Sequence, residues 1–210
     1  MKDNNLILVG GGGHCKSVID VAEKAGYNII GILDVIDNIG KRVLGYPIIG
    51  SDDNISDWID NAYFLVTVGQ IKNSTIRTKL HQNIIASGGK LATLIATDSS
   101  VSKHTIIGEG TVIMHKSVVN ADVNIGKSCI INTFANIEHD TVIGDFCHIS
   151  TGVMVNGNCK ISNSTFIGSG TIISNGVSIP ENSIIAAGSV VRKSLTKSGL
   201  YAGNPAIKYK

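Results

Sequence analysis

The sequence predicts two structural parts and a tail. An α/β domain with a Rossmann-like βαβ unit covers residues 1–92, a parallel β-solenoid built on a six-residue repeat covers 93–195, and a tail follows at 196–210. Three observations carry this. One six-step register of branched aliphatics runs unbroken through the second half. A strand, glycine loop, helix, strand pattern opens the first half. The composition, 43% hydrophobic but only 5% aromatic and with 24 glycines, favours aliphatic packing and tight turns.

In chain order, LILV (6–9) reads as the first strand, GGGGHCKS as a loop, VIDVAEKAG as a helix stopped by Gly26, and NIIGILD as a second strand ending at Asp34. Such a unit sets glycines where a helix N-terminus can receive a phosphate. Gly10, Gly12 and a later small residue mimic the dinucleotide fingerprint only loosely. The loop and strand end offer Gly12, His14, Lys16 and Asp34 as substrate contacts. YFLVTVG (63–69) reads as a third strand and KNSTIRTKLHQNI (72–84) as a helix, with Arg77 a solvated residue on it.

From Ile95 the chain places Ile or Val at every sixth position through Val191, seventeen times without a slip. Four residues after each comes a second set, from Ser99 to Leu195, in which only Leu195 is large. β-Branched side chains suit a half-buried pleated surface, and the small set suits a crowded interior corner. Gly, Asn and Asp fall mostly between, where the chain must turn. A helix would need a period near 3.6. Cys129, Cys147 and Cys159 occupy small inward slots and read as buried hydrophobes; with Cys15 they form no zinc or redox spacing.

The formal charge of +2 argues for neither nucleic acid nor a membrane surface as partner. The apolar run at Leu6–Val9 is too short for a signal peptide or a membrane span. The cytoplasm is the expected location.

The segments VGGGGHCKSVIDV, GILD, GYPIIGSDD, NTFANIEHDTVIGDFCHIS, VNGN and YAGNPA together resemble the bacterial family that contains the sialic acid O-acetyltransferases and the nucleotide-activated 4-amino-sugar N-acetyltransferases. Cys15 and Ala96 depart from it, where relatives often have Gly and His. The resemblance implies a left-handed parallel β-helix, a hexapeptide-repeat solenoid of three hexads per coil, acetyl-CoA as co-substrate, no metal, and a homotrimer with active sites between subunits. It places the catalytic base at His139, in an I-E-H-D stretch, and points to Asp140 as the group that orients its ring, with Glu138 the other neighbouring carboxylate that can do so. Local reasoning agrees: His139 lies two residues after inward Ile137, hence at an exposed coil corner, and a neutral imidazole accepts a proton near neutral pH.

By the same resemblance Asn132 and His148 contact sugar or cofactor, and Ser169 and Gly188 line the pantetheine channel. Gly157 stands one coil beyond His139, where its N–H is placed to hold the thioester oxygen. The implied reaction is direct acetyl transfer to the 4-amino group of a nucleotide-linked amino-deoxy sugar. O-acetylation of sialic acid or a related nonulosonate is the alternative, ranked second because the glycine loop favours a nucleotide. A zinc hydratase of the solenoid type is disfavoured by the spacing of His104, His115, His139 and His148, and a non-catalytic scaffold by the IEHD corner.

Overall fold

The structure is a computed structural model that describes residues 4–209. It divides into two compact units. The first runs to Gly69 and resumes over Thr75–Thr97; the second comprises Gln70–Ser74 and the chain from Asp98 onward.

In the first unit β1 (Asn5–Val9), β2 (Asn28–Leu33), β3 (Arg42–Val43), β4 (Tyr46–Gly50) and β5 (Tyr63–Val66) form one sheet in the order β3-β4-β2-β1-β5. All pairings are parallel except the β3–β4 hairpin. Leu6, Ile7 and Leu8 on central β1 are fully buried, as a parallel strand covered on both faces requires. Helix α1 spans Gly13–Lys24, so the stretch expected to be loop is helical from its fourth residue onward. His14 and Lys16 therefore sit on the first turns of a helix. Gly12, extended at φ −75°, is its N-cap. Helix α2 spans Thr75–Ala86.

Arg77 on α2 is not solvated. It is 1% exposed, and its Nη1 donates to the carbonyl oxygens of Val66 (3.1 Å) and Val68 (2.6 Å) as the chain leaves β5. Carbonyls at a strand end accept here from one guanidinium nitrogen, whose two hydrogens serve both.

The second unit is the solenoid. Two-residue strands recur every six residues from Ser100–Val101 to Val190–Val191. Through Ile172–Ile173 each pairs in parallel with the strand eighteen residues on, as Val118–Val119 does with Asn136–Ile137, so three hexads make one coil. Three sheets result, and a parallel strand at Leu200–Ala202 extends one of them with Tyr201 in the core. The inward aliphatics from Ile113 to Val191 are buried into a continuous column. The first repeat position departs from expectation: Ile95 belongs to the first unit and is 38% exposed, while Val101 and Ile107 are half-buried where no earlier coil stacks over them.

The small inward slot proves to be a donor slot as well. Thr111 Oγ1, Ser117 Oγ, Cys129 Sγ, Cys147 Sγ and Thr171 Oγ1 each donate to a carbonyl fifteen residues on, at 2.8, 2.8, 3.0, 3.1 and 3.1 Å. Each bond ties one coil to a corner of the next and satisfies a carbonyl that turns out of the ladder. At the corners the third residue after each inward aliphatic is mostly left-handed, as at Asp122, Asp140, Asn158 and Gly176. Short polar residues and glycine take that conformation readily. Among the described residues no helix is long and apolar enough to cross a membrane.

Candidate active site

The corner after Ile137 presents the chemistry. Ile137 is buried in the core, the αL conformation of Asp140 (φ 60°) turns the chain, and Thr141 anchors the next hexad inward. Between these anchors His139 has no room inside and projects outward, its side chain 60% exposed. The same turn folds the Asp140 carboxylate back, and its Oδ2 lies 2.7 Å from His139 Nδ1. A carboxylate accepts, so Nδ1 holds the proton and Nε2 carries the lone pair. The Asp140 hydrogen bond raises the His139 pKa above its ordinary value, against opposing desolvation, with the charges of Asp140 and Glu138 adding to it.

Gly157 lies directly under this ring. A Cβ built on it would stand 2.7 Å from His139 Cε1 and 2.8 Å from Nε2. The glycine is buried, and the absence of a side chain there is what lets the imidazole lie against the next coil. Glu138 does not orient the ring. Its carboxylate oxygens accept from the side-chain amides of Asn120 (2.8 Å) and Asn136 (2.9 Å), which hold it along the corner.

Asn132 and His148 come together, but at a different corner. Asn132 follows the strand Ile130–Ile131, which pairs with His148–Ile149. His148 is 8% exposed, with Nδ1 2.7 Å from the Gln70 carbonyl oxygen and Nε2 3.2 Å from Asn132 Nδ2. Phe166 meets its ring edge-on at a centroid distance of 5.2 Å. Ser169 lies at the same corner two coils on, its Oγ 2.9 Å from Ser150 Oγ, and exposed Gly188 donates its N–H to the Ser169 carbonyl at 2.8 Å. One chain thus carries two groups of site residues: Asn132, His148, Ser169 and Gly188 at one corner, His139, Asp140 and Gly157 at the next.

In the first unit Gly12 is exposed at the N-terminus of α1, Lys16 is exposed and His14 half-buried. No side chain caps this helix. Asp34 is drawn into the loop itself: its Oδ2 accepts from Gly11 N–H at 2.7 Å and its Oδ1 from Val35 N–H at 2.6 Å. The carboxylate shapes the glycine loop. Beyond Asp34 lies a cavity of about 300 Å³ lined by Val35, Ile36, Asp37, Ser51, Asp52 and Asp53.

Sequence reasoning missed Gln70, Asn120 and Asn136. Asn120 was within reach, since it stands one coil before Glu138; Gln70 carries no local signal. The four cysteines are buried free thiols. Burial raises the pKa of Cys15, Cys147 and Cys159, which leaves the thiol as the stable form. Among the described residues no group of three or more His, Cys, Asp and Glu is placed to hold a metal ion.

A three-sided solenoid with an open histidine–carboxylate pair at one corner, on a chain that also has a βαβ unit, defines a class of acyl-transfer enzymes. Comparison with known proteins narrows it. Residues 5–84 match the PglD N-terminal domain family. The perosamine N-acetyltransferase of Caulobacter crescentus, solved with CoA and GDP-perosamine as a histidine-to-asparagine variant, is 30% identical over 97% of this chain and 96% of its own, with a TM-score of 0.91. The acetyltransferase domain of PglB from Neisseria gonorrhoeae, solved with acetyl coenzyme A, is 33% identical over 98% of both chains, with a TM-score of 0.90. WeeI from Acinetobacter baumannii is 25% identical over 96% of this chain and 98% of its own, with a TM-score of 0.86. No match was found among curated proteins. The chain belongs to the bacterial sugar acetyltransferase family of hexapeptide-repeat, left-handed β-helix fold.

Proposed function

We propose that this protein transfers the acetyl group of acetyl-CoA to the 4-amino group of a nucleotide-linked amino-deoxy sugar, with His139 as general base. The observation that carries it is the exposed His139 ring, pinned through Nδ1 to Asp140 and lying on Gly157. Relatives that cover nearly the whole chain hold CoA and GDP-perosamine, or acetyl coenzyme A.

The neutral amine attacks the thioester carbonyl and the C–N bond forms. His139 Nε2 takes the proton released from nitrogen, and Asp140 stabilises the imidazolium. The tetrahedral oxyanion then collapses, the C–S bond breaks, and the departing thiolate takes the proton back from His139. The Gly157 N–H is the proposed donor to the oxyanion. Transfer is direct, because the thiols that could form an acyl-enzyme are buried. Gly12, His14 and Lys16 bind the nucleotide diphosphate at the uncapped N-terminus of α1, Asp34 holding that loop in shape. The base lies in the cavity beyond it. Asn132 and His148 face the substrate, and Ser169 and Gly188 the pantetheine arm.

The protein acts as a homotrimer in the cytoplasm. Two features support assembly. The two groups of site residues lie at different corners of one chain. The face that leads into the His139 corner bears an outward column of Val118, Asn136, Met154, Ile172 and Val190, apolar but for Asn136, with Met154 46% and Ile172 38% exposed.

The test is acetyl-CoA turnover with GDP-, UDP- and dTDP-linked 4-amino sugars beside free sialic acid. Transfer to a nucleotide-linked amine, abolished in His139→Ala, is expected. Acetylation of the free acid alone overturns the reading.

A further inference from the structure

The two histidines flanking the proposed site differ in what their surroundings allow. At His148 the partners of the two ring nitrogens fix which of them carries the proton. A backbone carbonyl oxygen has only lone pairs to offer, so its 2.7 Å approach to His148 Nδ1 requires the proton on Nδ1. On the other side, Asn132 Oδ1 accepts from Thr133 N–H at 2.8 Å, which fixes the amide and turns its NH2 toward His148 Nε2 at 3.2 Å. Flipping the amide would set two donors against each other at Thr133. The chain of bonds therefore runs from Thr133 N–H to Asn132, from Asn132 N–H to His148 Nε2, and from His148 Nδ1–H to the Gln70 carbonyl.

Gln70 is held for this purpose by its own side chain. It is 4% exposed and belongs to the segment Gln70–Ser74, which packs with the solenoid. Its Nε2 donates to the carbonyl of Phe146, two residues before His148, at 2.9 Å. One residue thus grips the His148 hexad twice, by side chain and by main chain. Ser74 fastens the other end of the segment to Ser164, one coil beyond Phe146, at 2.8 Å. Gln70 Oε1 is buried without a hydrogen-bond partner, a loss that an apolar side chain in the same space would avoid.

We propose that Gln70 is a positioning residue that fixes the His148 proton on Nδ1, so that Asn132 turns its remaining N–H outward as a donor to an acceptor oxygen of the bound substrates. Half-buried Asn132 keeps its Oδ1 on Thr133 N–H, which leaves the second amide hydrogen to face the ligand. His148, with Nε2 occupied by an incoming N–H, orients and does not accept the amine proton. That task falls to His139 alone. The ligand atom facing the outward Asn132 N–H is an acceptor oxygen, of a carbonyl, hydroxyl or phosphate.

The inference rests on the reading of Asn132 as a substrate contact, but its first test needs no substrate. In the full-length protein labelled with 15N-histidine, two-bond 15N–1H correlations report which ring nitrogen carries hydrogen, with the His148 signals assigned by their loss in His148→Gln. The parent is expected to show a single Nδ1–H form for His148. Gln70→Ala is expected to populate both tautomers and to lower kcat by about tenfold, as outer-shell partners of functional histidines do, with KM for acetyl-CoA within about twofold. Asn132→Asp puts an acceptor where a donor stood, leaves the Gln70 grip intact, and is expected to draw a proton onto Nε2; it decides the matter should Gln70→Ala fail to fold. A parent His148 protonated on Nε2 overturns the proposal. So does a Gln70→Ala protein with unchanged tautomer and kcat, or an Asn132→Asp protein whose His148 keeps the parent pattern. Failure of acetyl transfer to every sugar amine would instead count against the function proposed above and leave the tautomer result standing.

Discussion

Replacing Gly157 with alanine isolates the geometry of His139 from its chemistry. The added methyl would lie 2.7 Å from Cε1, 2.8 Å from Nε2 and 3.3 Å from Nδ1 of the ring, where ordinary contact begins at 3.4 Å. The ring must therefore retreat by about 0.7 Å, since the methyl is fixed to the backbone and the imidazole is the free end of a side chain 60% open to solvent. A displacement near 1 Å in a reacting group costs about 100-fold in rate, so kcat/KM is expected to fall by roughly 30- to 100-fold. Stability should not fall with it. The Gly157 backbone lies outside the left-handed region, and a compatible Gly→Ala change stabilises by about 0.4–1 kcal/mol through the unfolded chain. Steady-state acetyl transfer, with a thermal melt of the same preparation, measures both. A kcat/KM within twofold of the parent would refute the placement of His139 at the reaction centre. A melting temperature lowered by more than about 5 °C would show instead that the methyl had disturbed the coil stack.

Asp140→Asn keeps a residue that tolerates αL but removes the main cause of the raised His139 pKa. The base works only when neutral, so the rate rises with pH through that pKa. In the variant this acid limb should move to lower pH while the plateau kcat falls, and a limb left in place would exclude the pair from catalysis. Phe134 is left-handed at φ 60° and 63% exposed, so its ring gains little burial for the strain it carries. Phe134→Gly should relieve about 1–2 kcal/mol and raise Tm by about 2–6 °C, read by calorimetry; a lower Tm would mean that assembly buries the ring.

The solenoid was legible because its signal is additive: Ile113, Ile137, Ile161 and their kin all face one column, so each repeat confirms the last. The same arithmetic set Gly157 beside His139, since one coil is eighteen residues wherever the register holds. The small slot was read as a matter of fit alone. Its donor role shows only once the carbonyls of the next coil are placed, which is why Ser, Thr and Cys recur there more often than Ala. Arg77 and Gln70 were opaque for a related reason. Their partners, the Val66 and Val68 carbonyls and the His148 ring, are set by tertiary approach and carry no side-chain signature in sequence. Of the two carboxylates beside His139, Asp140 reaches the ring and Glu138 does not: on a two-residue strand and its corner neighbouring side chains diverge, and the amides of Asn120 and Asn136 hold Glu138.

The two corners pose one further question with a direct answer in solution. The strand before Asn132 and the strand before His139 lie in different sheets of the same coil. A substrate held through an oxygen at Asn132 of one chain therefore presents its amine to the His139 edge most simply on another copy, docked along the Met154–Ile172 face. Active sites of that kind complement. His139→Ala and Asn132→Ala chains, each inactive alone, should regain a fraction of parent activity when co-expressed and purified through two different tags. Chains that bind as mixed oligomers yet stay inactive would place both corners' work within a single copy, and the outward apolar face would then need another occupant.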